Sequence, residues 1–279
     1  MIALVLAALI SGTFALQHGA PKTTSHLAMT QVGTSPLDER LDFWLTDSHA
    51  NVVTRYRIDM TKYLHLIIVS DDFRSFAHIH PKLDAAGHFH IDHQFPQPGL
   101  YHAYADSDPA PLGQQVFRYD LTVGTAAPHR VPKLARSETS AAVDGYRVTL
   151  GTTRLHPGDV TQIPVHITKG GRPATDLHPY LGALAHAVFL DAEDLSYTHV
   201  HPMELDAGAM STGTTGGMSG MDMQGMDMPG MDMPALPDSA RSASAMRLDV
   251  RVLRPGLYKL WLQFRGGTQL HVATFVLIA

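Results

Sequence analysis

Two short steps, His78-Ile79-His80-Pro81 and His199-Val200-His201-Pro202, stand 121 positions apart, and each follows a lone histidine, His65 or His186, at that same offset. On a strand, a His-x-His step sends both imidazoles to one face, because side chains alternate with period two. Turn residues at Asp71–Arg74 make a hairpin of the first set, with His65 opposite His80 and Ile67 opposite His78. His65, His78 and His80 then share a face, with directly opposed Cβ atoms about 5 Å apart. The second set repeats the construction, with Asp191–Leu195 as the turn and His186 opposite His201. Three neutral imidazoles brought together by two paired strands fill most of the shell of Cu(II), Zn(II) or Ni(II). The competing reading is structural. His65 lies among Leu64, Leu66 and Ile67, and His186 among Ala185, Ala187 and Val188, where a hydrogen-bonded imidazole could simply complete a core. Keeping all three positions in both copies, among neighbours that mostly differ, favours ligands, although a packing requirement would be kept as well.

A second constellation is made of thioethers. Residues 221–235 are a threefold pentad: Met221-Asp222-Met223-Gln224-Gly225, Met226-Asp227-Met228-Pro229-Gly230 and Met231-Asp232-Met233-Pro234-Ala235. Eight of the 13 methionines fall between Met210 and Met233, whereas flexible segments ordinarily avoid a residue so open to oxidation. A thioether is soft, neutral and has no proton to lose. Met221, Met223, Met226, Met228, Met231 and Met233 therefore point to Cu(I) or Ag(I), with the interleaved Asp residues supplying negative charge. Metal held by imidazoles should leave below about pH 6, while metal held by thioethers should stay. Other histidines signal less. His88 and His90 share one face of a strand and His93 takes the other. His271 reads as a core residue, His49, His156, His166 and His178 as turn or surface positions, and His18 and His26 as weak metal contacts near the N-terminus.

Composition narrows the field. A chain of 279 residues, 44% hydrophobic and 17% charged, can bury a substantial core. With no cysteine, disulfide scaffolds, thiolate zinc sites, iron–sulfur clusters, blue-copper sites and thiol nucleophiles are excluded. A net charge of −5 argues against a nucleic-acid partner, which needs a basic surface. The sequence has no GxSxG, HExxH or Gly-rich phosphate loop, so no enzyme is expected.

The elements that must position these residues are strands. Arg40–Pro81 aligns without a gap to Thr161–Pro202, and the match resumes at Pro98-Gly99-Leu100-Tyr101 against Pro255-Gly256-Leu257-Tyr258, the second copy being 36 residues longer. Short runs rich in β-branched and aromatic residues recur at 41–46, 63–70, 75–80, 88–95, 100–105 and 116–123, and again from 146 to 278, separated by Gly, Pro and Asp turns. The expected fold is all-β: two tandem β-sandwiches. The division is a signal peptide at 1–15, a flexible mature N-terminus at 16–35, a first sandwich at 36–124, a linker at 125–142, and a second sandwich at 143–279 carrying the Met-rich insertion 207–245. The uncharged apolar run from Met1 to Leu16, closing on small residues, has the pattern of a secretory signal, and is shorter than the roughly 20 residues of a spanning helix. An exported chain, periplasmic or secreted and not membrane-spanning after cleavage, is the expectation.

The runs Leu64-His65-Leu66-Ile67-Ile68-Val69-Ser70-Asp71-Asp72, Phe76-Ala77-His78-Ile79-His80-Pro81 and Phe95-Pro96-Gln97-Pro98-Gly99-Leu100-Tyr101 resemble a group of exported bacterial tandem-repeat proteins described loosely as heavy-metal-binding or secreted. The Met pentads are similar to the Met-rich segments of periplasmic copper-resistance proteins. The resemblance implies immunoglobulin-like or cupredoxin-like sandwiches; the His and Met residues themselves lead to the expectation of extracytoplasmic copper binding for sequestration, resistance or transfer, with copper as Cu(I) or Cu(II), Ag(I) or Zn(II) as alternatives, and another periplasmic metal carrier or exporter as partner. The absence of the cupredoxin Cys-to-His-to-Met ligand loop argues against electron transfer. The alternative is a non-metal structural or interaction module of the cell envelope.

Overall fold

The computed structural model describes residues 8–11, 13–14, 22–125, 134–205 and 235–279. The Met pentads and His18 lie outside them. The described residues form strands and turns, and no helix among them is long and apolar enough to cross a membrane. The chain divides into two compact units, Met1–Ala135 with Leu190–Tyr197, and Arg136–Phe189 with Thr198–Ala279.

Each repeat folds as a β-sandwich of two antiparallel sheets. In the first, one sheet runs in the order Ala8–Ser11, Thr24–Gln31, Asp38–Thr46, Phe89–Gln94, Lys82–Leu83. The other runs Thr13–Phe14, Gln115–Val123, Gly99–Pro109, Leu64–Ser70, Phe76–Ile79. Alternate residues fill the space between them: Leu27, Leu41, Phe43 and Phe89 from one sheet, Leu64, Leu66, Ile68 and Tyr101 from the other. The second repeat does the same with Ser140–Val143, Tyr146–Leu150, Val160–Lys169, Ala245–Arg251 and Met203–Glu204 facing Leu177–His178, Leu257–Gly266, His186–Asp191 and Tyr197–Val200. The apolar run of Leu64–Ser70 is buried at every position, so both faces of that strand are covered.

Four boundaries differ from the sequence reading. Ala8–Ser11 and Thr13–Phe14, expected within the signal peptide, pair with Thr24–Gln31 and Gln115–Val123. Thr24–Gln31, expected within a flexible N-terminus, is a strand in register with Asp38–Thr46, because Ser25 and Leu27 alternate into the core. Residues 140–142, expected in the linker, belong to the strand Ser140–Val143, which pairs with Tyr146–Leu150. The end of the expected insertion is also fixed: Leu236 donates its N–H to the carbonyl of Gly182 at 2.8 Å, Ser242 to that of Leu177 at 3.0 Å, and Ala245 opens a strand.

The gapless repeat alignment also needs a correction. Phe43 pairs with Phe89, and Val165 with Met246, so Phe43 corresponds to Val165 and the offset in this strand is one residue greater than at the histidines. Aligned without a gap, Phe43 would fall on Pro164, on the outer face, since a slip of one residue turns a strand over.

Candidate metal centre

The hairpin register is the one expected: Leu66 pairs with Ile79 and Ile67 with His78, which continues to His65 beside His80. His65 is 1% exposed and His78 6%. The three rings gather edge to face or tilted, with centroids 5.2 Å apart for His65 and His78, 5.1 Å for His65 and His80, and 4.8 Å for His78 and His80. One nitrogen of each lies within 4.8 Å of the other two, so His65, His78 and His80 form a set able to hold a metal ion.

The nitrogens are oriented. His65 Nε2 lies 3.0 Å from the carbonyl oxygen of Asp59 and donates its proton there, which leaves the lone pair on Nδ1, turned to His78 Nε2 at 3.0 Å. Two nitrogens bound to one Zn(II) at about 2.0–2.1 Å, at angles between 90° and tetrahedral, stand about 2.9–3.4 Å apart. The separation fits a shared ion. An N–H on a carbonyl is also the outer contact that ligating histidines use to fix their tautomer. His80 Nε2 is buried with no hydrogen-bond partner among the described residues, an arrangement that is costly unless something else meets that nitrogen. Burial holds His65 below its ordinary pKa, and burial, with smaller contributions from His65 and Lys62, lowers that of His80 to about 3. Both are thus neutral imidazoles near neutral pH, with no proton to displace from the lone pair.

The second repeat builds the same hairpin. His186 is 1% exposed, its Nδ1 lies 3.2 Å from His199 Nε2, and His201 stands with its ring centroid 4.7 Å from each. His186 Nε2 donates to the carbonyl of Tyr180 at 2.9 Å. Asp59 and Tyr180 occupy corresponding places in corresponding turns. Asp59 and Lys62 exchange both backbone hydrogen bonds around Met60 (φ 41°) and Thr61 (φ 75°), and Tyr180 and Ala183 do so around Leu181 (φ 53°) and Gly182 (φ 84°). Two central residues at positive φ make the tight hairpin turn that side chains other than glycine resist. Both turns keep it, and so each aims one carbonyl at a histidine. No side-chain pattern marks these carbonyls, and they were invisible in the sequence.

Other histidines fall as read or reveal further bonds. His271 is core, 4% exposed, between Tyr146 and Phe264, and His93 is half-buried against Phe95. His178, read as turn or surface, bonds through Nδ1 to the carbonyl of Ala240 at 2.9 Å. His102, which nothing in the sequence singled out, is clamped between Asp120 at 2.7 Å and Asp71 at 3.1 Å, two carboxylates far from it in sequence. Met221, Met223, Met226, Met228, Met231 and Met233 lie outside the described residues.

A family described as "Domain of unknown function (DUF8832)" matches residues 22–126 and 141–279. No curated protein matches the chain. A solved structure of Escherichia coli alpha-2-macroglobulin activated by porcine elastase is similar over 92% of this chain, at 9% identity and a TM-score of 0.25. The chain spans 23% of that protein's length.

Proposed function

The chain belongs to the DUF8832 family, and since that membership brings no activity with it, we propose from the chain's own residues that it is a non-enzymatic, extracytoplasmic copper-binding protein that sequesters the metal or hands it on. The observation that carries this reading is the buried set His65, His78 and His80, whose nitrogens converge within 4.8 Å while His80 Nε2 has no hydrogen-bond partner among the described residues. Three neutral nitrogens suit copper in either oxidation state as well as Zn(II), because imidazole is a borderline ligand. His186, His199 and His201 gather on a second hairpin, with His186 Nδ1 3.2 Å from His199 Nε2 and the His186 and His201 ring centroids 4.7 Å apart. The choice of copper rests on the sequence, where the Met pentads supply soft ligands selective for Cu(I) or Ag(I).

Anaerobic competition for Cu(I) against a chromophoric chelator, with bound ions counted by native mass spectrometry, tests the reading. The full chain should win copper, and removal of residues 207–234 should abolish part of it. If the full chain takes no Cu(I), Cu(II) or Zn(II), the histidines serve packing alone.

A further inference from the structure

The second sandwich closes on a long strand with one side left open. Gln269–Ile278 pairs with Leu257–Gly266 across the turn Gly267–Thr268, with Gly266 opposite Gln269 and Leu257 opposite Ile278. Among the described residues its other edge is met only near the end of the strand. Ile278 donates its N–H to the carbonyl of Thr153 at 2.9 Å and accepts that of Leu155 at 2.7 Å, and Val276 accepts the N–H of Ser137 at 2.9 Å and donates to its Oγ at 2.8 Å. Backbone groups of successive residues in an antiparallel strand point to alternate sides, so Leu270, Val272 and Thr274 turn theirs the same way as Val276 and Ile278. No other segment among the described residues pairs with those three.

The first repeat shows what this edge takes. Leu100 pairs with Thr122 as Leu257 does with Ile278, which makes Phe117 the counterpart of Ala273 and Arg118 that of Thr274. There a strand fills the edge, with Phe14 on Phe117 and Thr13 on Arg118. In the second repeat Asp144–Gly145 turns the chain from Ser140–Val143 straight back into Tyr146–Leu150, and the place is left open. The usual guards are missing as well. Open edges are ordinarily kept apart by charges, prolines or bulges, yet residues 269–279 hold no charge and no proline, whereas the filled edge carries Arg118 and Asp120. Leu270 is 43% exposed, and Thr274 is exposed beside it.

We propose that this edge docks a second copy of the chain, the two Gln269–Ile278 strands pairing antiparallel about Val272 into one continuous sheet. A second copy fits because the open window is its own complement. Its three residues place Val272 on a two-fold axis against Val272 of the other copy and Leu270 against Thr274, with no charge to repel, and their free N–H and C=O groups supply about six hydrogen bonds. A contact of this size makes a weak dimer that depends on concentration.

Sedimentation equilibrium of the full chain over about two decades of concentration tests this, with a chelator present so that no metal bridges the copies. The mass should climb toward twice that of the monomer. Leu270→Lys/Thr274→Lys, at exposed positions, sets like charges opposite one another and should weaken the dimer about tenfold or more, whereas Leu270→Lys/Thr274→Glu sets opposite charges together in the same register and should restore it. A chain that stays monomeric throughout overturns the proposal, and so does a dimer of equal strength in both variants. Backbone amides of Val272 and Thr274 that resist hydrogen exchange in the dilute monomer overturn it too, because another segment of the same chain then covers the edge.

Discussion

In the first repeat His65 Nε2 meets the carbonyl of Asp59, and in the second His186 Nε2 meets that of Tyr180, although Asp and Tyr have nothing in common but their place in a turn. On the opposite sheet the repeats part company: Asp42, Trp44, His88 and His90 in one answer to Pro164, His166, Ala245 and Arg247 in the other. The contrast separates two ways of holding an imidazole. An orienting contact made by backbone survives any change of side chain that leaves the turn intact. A constellation made of side chains vanishes when four residues change, with the sandwich beneath it undisturbed.

The strongest way to break the equivalence of the two hairpins is to delete their anchored histidines one at a time. His65→Ala and His186→Ala should each lose about one metal equivalent, with affinity at that hairpin down more than the 10–100-fold that follows loss of an outer contact. Each should also cost about 2–4 kcal/mol of stability in chemical denaturation, as a buried side chain is removed and its partners are left unpaired. Metal content unchanged in one variant alone would make that hairpin structural and its counterpart the site.

Deleting residues 207–234 sharpens the contrast between soft and borderline ligands. Cu(I) and Ag(I) capacity should fall while Zn(II) capacity stays, read by native mass spectrometry. The flank from Leu236 to Ser242 should be kept, because its hydrogen bonds reach Gly182 and Leu177.

Acid offers a subtler probe. His80 in the folded chain has a pKa of about 3, below the ordinary value near 6.5. Between those pH values the unfolded chain binds a proton that the folded chain refuses, so the first repeat should lose stability progressively as pH falls from about 6.5 toward 3. Asp106 works in the other direction. Burial raises its pKa to about 7, so its contribution weakens as pH rises from about 4 through 7. Thermal melts from pH 8 to 4 should rise and fall accordingly, and His80→Gln should flatten the acid limb. Metal on the triad should persist at pH 5, lower than the limit near pH 6 expected for ordinary histidines, and native mass spectrometry at pH 5 checks it.

The smallest effect concerns the turns. Thr61 at φ 75° does the work that Gly182 does at φ 84°. Thr61→Gly should stabilise by about 0.5–1 kcal/mol and Gly182→Thr should destabilise by about 1–2 kcal/mol, because a branched side chain resists positive φ. Opposite shifts without change in metal count would show that the turn geometry, not its residues, serves the histidines.

Much of this was readable before folding. The apolar run from Leu64 to Ser70, a tight turn and the His-x-His step sufficed to fix which residues face each other, since hairpin register follows from turn length and alternation. The strand Thr24–Gln31 was hidden because its inward alternation is short and weakly apolar, with Ser25 and Leu27 buried and Met29 partly buried among polar or small neighbours. The slip between Phe43 and Val165 was hidden because nothing chemical marks that strand, and alignment by identity has no reason to open a gap there.

What the sequence by itself determined is local or periodic: the strands, the two sandwiches, the exclusion of thiolate chemistry, and the sharing of one face by His65, His78 and His80. What only the tertiary structure decided is the pairing of groups that neither sequence distance nor side-chain type connects. The carbonyls of Asp59 and Tyr180, the clamp of Asp71 and Asp120 on His102, and the meeting of His88 and His90 on Asp42 all belong here. The reason is physical. Periodicity tells which way a side chain points, whereas a hydrogen bond about 3 Å long depends on which distant segment the packed sheets bring to meet it.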